Sequence, residues 1–195
     1  MNRTHVFLFA LLLTMSVGLQ AQSWADRPLE ISVLQQSSTL APNRLVSGPL
    51  HPGLMIGTEF SLKENPNSTF ALGANIGYWR HKSVQHMGFA NAELRYRHHF
   101  SSGTQVGAFV GLGYGHTFWD GMLYEQEIDG SWSEINQRGR PHLLGSIGAE
   151  VNQKIGGQNA IFLRYQLMVE TPFANGYPIF PHSVLQVGLR FFPFQ

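Results

Sequence analysis

The segment TQVGAFVGLGYGHTFW, residues 104–119, alternates strictly between two sets of side chains. One set is apolar and comprises Val106, Ala108, Val110, Leu112 and Tyr114, and the other comprises Gly107, Phe109, Gly111, Gly113 and Gly115. A period of two predicts a β-strand, because successive strand side chains point to opposite faces. Strands usually run for about 5–6 residues, whereas a tilted strand needs about 9–11 to cross a bilayer. The segment therefore predicts a membrane-spanning strand with one face against lipid and a nearly bare face towards a crowded interior.

Seven further segments show similar alternation, so the sequence predicts eight strands: Pro28–Ser37, Gly53–Lys63, Thr69–Arg80, Met87–Phe100, Thr104–Trp119, Pro141–Ile155, Asn159–Glu170 and Ser183–Phe194. The connections between them alternate in length. Three are short and rich in turn-forming residues (64–68, 101–103 and 156–159), and four are longer (38–52, 81–86, 120–140 and 171–182). This order is typical of an all-β fold, an eight-stranded antiparallel up-and-down transmembrane β-barrel with short periplasmic turns and longer outer loops.

Most acids and arginines of the predicted strands share one face of the alternation, and no ionisable residue falls mid-strand on the opposite, apolar face. A charge on that face would cost roughly 2–4 kcal/mol at the bilayer midplane. Eight strands leave an interior just wide enough for side chains to fill. We therefore expect the lumen to hold a network of paired charges in place of a hydrophobic core, and we favour this interpretation over a solute-conducting pore. The expected lumen charge network comprises Glu30, Glu59, Glu93, Arg95, Arg97, Glu150, Arg164, Glu170 and Arg190.

The first residues of the chain have the pattern of a secretory signal peptide. Arg3 supplies a positive charge, residues 6–13 form a short apolar run, and Ala21 is a suitable last residue before cleavage. The sequence thus predicts a signal peptide over 1–21 and a barrel domain over 22–195. The chain has no Cys, and charged residues make up only 13% of it, against about 25% in soluble domains. A net charge of +1 gives no basic field for nucleic acid.

Aromatic residues of a membrane barrel gather at the two membrane interfaces. Strand direction alone places Tyr78, Trp79, Phe118 and Trp119 near the long loops. It places another set near the short turns: Phe60, Phe70, Tyr96, Phe100, Phe191 and Phe194.

The longest loop, residues 120–140, is acidic and carries Tyr124 and Trp132. Long loops are usually functional or disordered, and Asp129-Gly130 is a favoured pair for a hairpin turn. The sequence predicts a protruding hairpin in which Tyr124 and Trp132 are available to a protein partner. A solvated hairpin without a partner is an equally weighted alternative.

Candidate catalytic and metal-binding residues are few. His182 and Ser183 are adjacent, so in a strand their side chains point to opposite faces and suit a nucleophile–base pair poorly. Four histidines are expected near the outer rim: His51, His81, His86 and His116. Their spacing in the sequence does not match a metal-binding motif. We predict no catalytic residues, no cofactor and no metal site.

The segment SVLQVGLRFFPFQ, residues 183–195, resembles the closing strand of Gram-negative outer-membrane proteins, which ends in a terminal aromatic residue; here Phe194 is followed by Gln195. The whole chain resembles a small eight-stranded outer-membrane barrel of the OmpA/OmpX type without a peptidoglycan-binding domain. The resemblance implies the cell outer membrane as the location and outer-membrane lipid and lipopolysaccharide as partners. It implies a structural, adhesive or accessory-subunit role. Because small outer-membrane barrels include lipid A deacylases and palmitoyltransferases, a lipid-A-modifying enzyme is the alternative, and a soluble lipocalin-like ligand binder is a third hypothesis.

Overall fold

The computed structural model describes residues 27–40, 42–81, 85–119, 123–126, 129–135, 139–172 and 178–193. Eight of its strands are β1 (Leu29–Ser37), β2 (Pro52–Asn65), β3 (Ser68–His81), β4 (Gln85–His99), β5 (Thr104–Trp119), β8 (Arg140–Gly156), β9 (Asn159–Thr171) and β10 (Phe180–Phe191). They close into one antiparallel barrel in the order β1-β10-β9-β8-β5-β4-β3-β2. The predicted all-β, eight-stranded up-and-down architecture is confirmed.

Three shorter elements lie between the barrel strands. A single helical turn, α1 (Arg44–Ser47), follows β1, and β6 (Leu123–Gln126) pairs with β7 (Trp132–Ile135) in a separate two-stranded sheet. No helix in the described ranges is long and apolar enough to cross a membrane. The predicted signal peptide, residues 1–21, and Phe194 lie outside the described residues.

Most strand limits lie within two residues of the sequence prediction. The last strand differs more, because β10 spans Phe180–Phe191 rather than Ser183–Phe194. The barrel has a turn end, where the connections at 66–67, 100–103 and 157–158 lie, and a loop end, where the longer connections lie. The strands have 9 to 17 residues, which is the length that tilted membrane-crossing strands require.

The outward wall of the barrel is apolar and the inward face is charged. Ile76 is 71% exposed and Leu112 is 68% exposed on the outer wall, while Arg95 and Arg164 are fully buried in the lumen. This polarity is the reverse of a lipocalin-like barrel in water, which would bury its apolar face. The wall therefore suits hydrocarbon as its surroundings.

The inward-facing glycines give the charged side chains room. A Cβ atom placed on Gly73 would lie 2.5 Å from Cζ of Arg95, and one on Gly107 would lie 2.7 Å from Cγ of Arg97. Real side chains do not approach so closely, so glycine at these positions leaves space for the arginines. This crowding explains the bare face of residues 104–119.

The lumen also contains an apolar layer, which the sequence interpretation did not include. Its buried members are Leu34, Met55, Trp79, Met87, Phe89, Leu144, Met168 and Val184. Trp79, expected in the aromatic belt, is instead 1% exposed inside the barrel. The lumen therefore has a charged layer towards the turn end and an apolar layer towards the loop end.

Candidate functional site

The charged layer of the lumen is built around Arg95, which β4 directs into the barrel. Its Nη1 donates to Glu30 Oε2 at 2.9 Å, and its Nε and Nη2 donate to Glu93 Oε2 at 3.0 and 2.8 Å. Glu30 also accepts hydrogen bonds from Arg190 Nε and Nη2, at 2.8 and 2.5 Å, on the neighbouring strand β10. The guanidinium of Arg95 thus links Glu30 on β1 with Glu93 on β4.

A second set of ion pairs completes this layer. Arg164 donates from Nε and Nη2 to Glu150 Oε2 at 3.1 and 2.7 Å. Arg97 donates from Nη1 to Glu150 at 3.2 Å, and both of its terminal nitrogens donate to Glu59. Charge-assisted and bidentate bonds of this kind are the stronger hydrogen bonds in proteins.

These eight side chains form one balanced cluster, which we call the lumen charge network: Glu30, Glu59, Glu93, Glu150, Arg95, Arg97, Arg164 and Arg190. Four carboxylates face four guanidinium groups, and every member is at most 6% exposed. Buried charges are tolerated only when they are paired and hydrogen-bonded. Every member of the network is paired and hydrogen-bonded here, although Nη1 of Arg164 has no hydrogen-bond partner.

Asparagines extend the network, although the sequence interpretation did not single them out. Asn75 Oδ1 accepts from Arg95 at 2.9 Å, Asn75 donates to Asn91 at 3.0 Å, and Asn91 donates to Glu93 at 2.9 Å. The available signal was their position on the inward face, since Asn75 lies between Gly73 and Gly77 in the alternation of β3.

Glu170 lies apart from the arginines, at the loop end of the lumen. Its Oε2 accepts from His182 Nε2 at 2.9 Å, and its Oε1 is 3.1 Å from His142 Nδ1. Gln36 Nε2 donates to His182 Nδ1 at 2.7 Å, and Thr117 Oγ1 shares a hydrogen bond of 2.8 Å with His142 Nε2. The structure thus gives Glu170 two histidine neighbours where the sequence interpretation expected arginine.

His182 and Ser183 do not form a nucleophile–base pair. His182 points into the lumen towards Glu170, whereas Ser183 points outward and its Oγ donates to the carbonyl of Thr39 at 2.5 Å. A base must lie within hydrogen-bond reach of the nucleophile that it activates. The geometry offers no such contact at this position.

The four rim histidines separate into two groups on opposite faces of the wall. His51 and His81 stack at the loop end with ring centroids 3.6 Å apart. His86 and His116 lie on the outer wall, where each Nδ1 contacts a tyrosine hydroxyl. In the described part of the chain, no group of three or more His, Asp or Glu is arranged to hold a metal ion.

The loop-end hairpin consists of β6 and β7, and Trp132 on β7 is 64% exposed. Tyr124 on β6 pairs with Glu134, and Gln126 pairs with Trp132. Gly130 has φ of +83°, and Asp129 Oδ1 accepts hydrogen bonds from Ser131 N and Oγ at 2.9 and 2.6 Å. The turn therefore lies at the predicted Asp129-Gly130 pair.

Comparison with known proteins finds similarity in structure only. No family model matches the sequence, and no curated protein matches it. The crystal structure of Neisserial surface protein A superposes with a TM-score of 0.57 at 12% sequence identity, covering 85% of this chain and 95% of that one. The protein has the fold of the small eight-stranded outer-membrane barrels.

Two other outer-membrane proteins match with lower scores. The N-terminal β-barrel domain of Pseudomonas aeruginosa OprF has a TM-score of 0.42 at 15% identity, covering 84% of this chain and 97% of that one. Ail, the attachment invasion locus protein of Yersinia pestis, has a TM-score of 0.45 at 11% identity, covering 85% and 97%. At such identities the likeness concerns the fold of the eight-stranded barrel alone.

Charged and apolar side chains of the described residues lie at different depths in the barrel. The lumen charge network crosses the lumen, and a cavity of about 800 Å³ lined by Glu59, Arg97 and Arg190, the turn-end cavity, opens between it and the turn end. The apolar layer, with Glu170, His142 and His182, fills the half near the loop end. The exposed hairpin lies beyond the wall at the loop end. Buried side chains thus cross the lumen beyond this cavity, and Trp132 of the hairpin is exposed.

Proposed function

We propose that the protein is an integral outer-membrane barrel that conducts no solute and has a structural or interaction role. The observation that carries this proposal is that two layers of buried side chains cross the lumen between the turn-end cavity and the loop end. The charge network and the apolar layer are both buried, with members at most 6% exposed. Side chains from seven of the eight barrel strands, all except β5, thus occupy the space that a channel would need.

An outer-membrane location and export through a signal peptide over 1–21 belong to the same proposal. The apolar outer wall supports a membrane location, since exposed apolar surface of this extent is not stable in water. The Arg3 charge, the following apolar run and Ala21 support export. Fractionation of cells that express either the full chain or a chain without residues 1–21 tests both the membrane location and the export. Recovery of the full chain in a soluble fraction without detergent would count against this location.

Conductance measurements test the closed lumen. Purified barrel inserted into a planar lipid bilayer is expected to give no stepwise openings under an applied voltage. A porin of known conductance, inserted from the same detergent, serves as the positive control. Reproducible openings that scale with the amount of inserted barrel would contradict a closed lumen.

The loop-end hairpin is the part that we propose for contact with a partner protein, with Tyr124 and Trp132 as its aromatic residues. Its support is the exposure of Trp132 at 64% and its place beyond the barrel wall. Exposed tryptophan is enriched among the residues that dominate binding interfaces. An adhesive role predicts that cells displaying the protein attach to matrix-coated surfaces and that Trp132→Ser reduces attachment. An outward-wall variant such as Ile76→Leu is the matched control, and equal attachment of all three proteins would refute this role.

A further inference from the structure

The turn-end cavity has the size of a ligand pocket. Its volume is about 800 Å³, and pockets for small ligands typically have about 300–1,000 Å³. Buried members of the lumen charge network, namely Glu59, Arg97 and Arg190, close its inner end. The closed lumen requires the layers beyond this cavity, but it does not require the cavity itself.

Two lysines at the mouth of the turn-end cavity have no carboxylate partner. Lys63 lies near the end of β2 and Lys154 near the end of β8, and both are exposed and line the cavity. Neither forms an ion pair within the described part of the chain. Glu64 belongs to the same lining, so two lysines face one carboxylate outside the balanced charge network. A cleft with an excess of one charge between low-dielectric walls raises the local concentration of ions of the opposite sign, and this cleft attracts anions.

The floor of the turn-end cavity offers a further cationic donor. Arg190 is 6% exposed, and its Nε and Nη2 both donate to Glu30 Oε1. Its Nη1 forms no hydrogen bond with the described residues, and it is not among the polar atoms that are sealed from solvent. Because Arg190 lines the cavity, this N–H group can meet a ligand there. An acid oxygen is its preferred partner, since charge-assisted hydrogen bonds are the stronger ones.

The walls of the turn-end cavity combine neutral hydrogen-bonding groups with an apolar surface. The side-chain amides of Gln105 and Gln158 line the cavity and form no hydrogen bond with the described residues. His99 contacts the Thr69 hydroxyl through Nε2 at 3.0 Å, which leaves its Nδ1 for a ligand. The half-buried ring of Phe192 supplies apolar surface in the same lining. Pockets for small polar molecules have this combination of apolar surface and a few polar groups.

We infer that the turn-end cavity binds a small anionic saccharide, which is a sugar ring that carries a carboxylate or phosphate group. The two lysines and Arg190 Nη1 supply cationic donors for the acid group, and the glutamine amides pair with sugar hydroxyl groups. The Phe192 ring packs against the C–H face of the sugar. A fatty acid fits less well, because its chain would cover the polar groups of the wall without pairing them. The inference goes beyond the proposed function, since neither a closed lumen nor a hairpin partner requires a ligand at the turn end.

Isothermal titration calorimetry of the purified barrel in a non-ionic detergent tests the inference with four probes: glucuronate, glucose 6-phosphate, glucose and inorganic phosphate. A sugar acid is expected to bind more tightly than either glucose or inorganic phosphate. Stronger binding of glucuronate or of glucose 6-phosphate identifies the preferred acid group as a carboxylate or a phosphate. Lys154→Gln is expected to weaken this binding by about threefold, the effect of one exposed charge. Gln105→Trp is expected to abolish it, because the indole occupies the space of the sugar ring.

Two control variants match these changes in charge and bulk. Arg80→Gln removes a cation at the loop end, and Val106→Trp places an indole on the outward face of β5, beside position 105. Both are expected to bind the sugar acid like the wild type, and circular dichroism verifies that every variant is folded.

Three results would overturn the inference: equal binding of glucose and both sugar acids, unchanged binding in Gln105→Trp, or inorganic phosphate that binds as tightly as the sugar acids. The conductance of the same preparation is measured separately. A barrel that binds no sugar acid and conducts nothing would therefore refute this inference and leave the closed lumen intact.

Discussion

Arg164 is a fully buried member of the lumen charge network, and its loss tests the network directly. It donates two hydrogen bonds to Glu150, and its guanidinium lies 5.1 Å from the ring of Phe109 and 5.0 Å from that of Phe162. Arg164→Leu leaves the network with one excess negative charge in a buried layer. Removing one partner of a buried pair costs about 3–5 kcal/mol, so we expect a loss of this size in the free energy of unfolding. Urea unfolding in detergent micelles measures it.

The hairpin provides the control for this substitution. Trp132→Ala removes an exposed side chain outside the barrel, and surface changes of that kind usually alter stability by less than about 0.5 kcal/mol. If Arg164→Leu and Trp132→Ala unfold at the same urea concentration, the network does not stabilise the barrel.

Two glycines on β8 permit a test of interior crowding within one strand. Gly148 faces the lumen, where a Cβ would lie 2.3 Å from Cζ of Phe109, whereas Gly145 faces outward and a Cβ there would meet nothing within 4 Å. Gly148→Ala is expected to destabilise the barrel by about 1–3 kcal/mol through overpacking. Gly145→Ala is expected to be neutral or slightly stabilising. The difference between their unfolding midpoints is the measurement, and a larger loss for Gly145→Ala would refute the crowding argument.

The alternation of the sequence predicts which face each charged residue occupies, but not its depth in the barrel. Glu150 and Glu170 share the inward face, yet only Glu150 pairs across the strands with Arg164, while Glu170 pairs with Leu144. Depth depends on the stagger of neighbouring strands, which follows from barrel closure rather than from local pattern. The prediction for Trp79 failed for a different reason: adjacent strand residues point to opposite faces, so Tyr78 on the outer wall places Trp79 inside the barrel.

At the scale of the element, the loop-end hairpin depends on the backbone of its turn. Gly130 has φ of +83°, a conformation that a β-branched residue adopts only with strain. Gly130→Val is therefore expected to open the hairpin between β6 and β7 and to leave the barrel intact. Limited proteolysis is expected to cut within residues 123–135 faster than in the wild type, with an unchanged urea midpoint. Ser133→Val, in the strand beside the turn, is the control; equal proteolysis of Gly130→Val and wild type would contradict the prediction.

The same turn is expected to respond to acid. Hydrogen bonds from the Ser131 hydroxyl and amide lower the pKa of Asp129 below its ordinary value of 3.8. A carboxyl whose pKa is lowered in the folded turn stabilises that turn above the ordinary pKa, and the stabilisation is lost as the pH falls through the lowered value. The amide NMR signal of Ser131 is expected to shift as the pH falls below about 4, near the ordinary pKa of Asp. Asp129→Asn removes the titration, and a shift that persists in this variant would assign it to another group.

The hairpin also shows what a local pattern can predict about an element. Asp129-Gly130 identified the turn because its chemistry is local to two residues. The limits of β10 could not be found in the same way, because residues at both ends of this strand are apolar or aromatic. The strand begins at Phe180 because Phe180 is the first residue that pairs with β9. Pairing across the barrel, and not the strand's own sequence, decides such limits.

At the scale of the whole molecule, the outward wall is apolar, and the inward face carries the charged residues towards the turn end and an apolar layer towards the loop end. The exposed wall holds apolar residues such as Ile76 and Leu112, and the interior holds four carboxylates and four guanidinium groups in contact. The sequence predicted this division because a period of two separates the faces unambiguously. It did not predict the apolar layer of the lumen, because towards the loop end both faces of β3 and β4 are apolar and periodicity gives no signal there.

The absence of Cys from the chain allows this orientation to be measured with single-cysteine variants. Two nitroxide labels are placed on the outer wall at Leu112→Cys and Ile147→Cys, where the native residues are 68% and 57% exposed. We expect molecular oxygen to relax both labels more than a water-soluble nickel complex does, because oxygen concentrates in hydrocarbon. A label at Trp132→Cys on the hairpin is expected to show the opposite preference. Ser32→Cys, whose parent residue is 2% exposed in the lumen, is expected to react with the label only after unfolding. If the labels at 112 and 147 respond to the nickel complex as the label at 132 does, the wall does not face lipid, and the assignment of the apolar face to the bilayer fails.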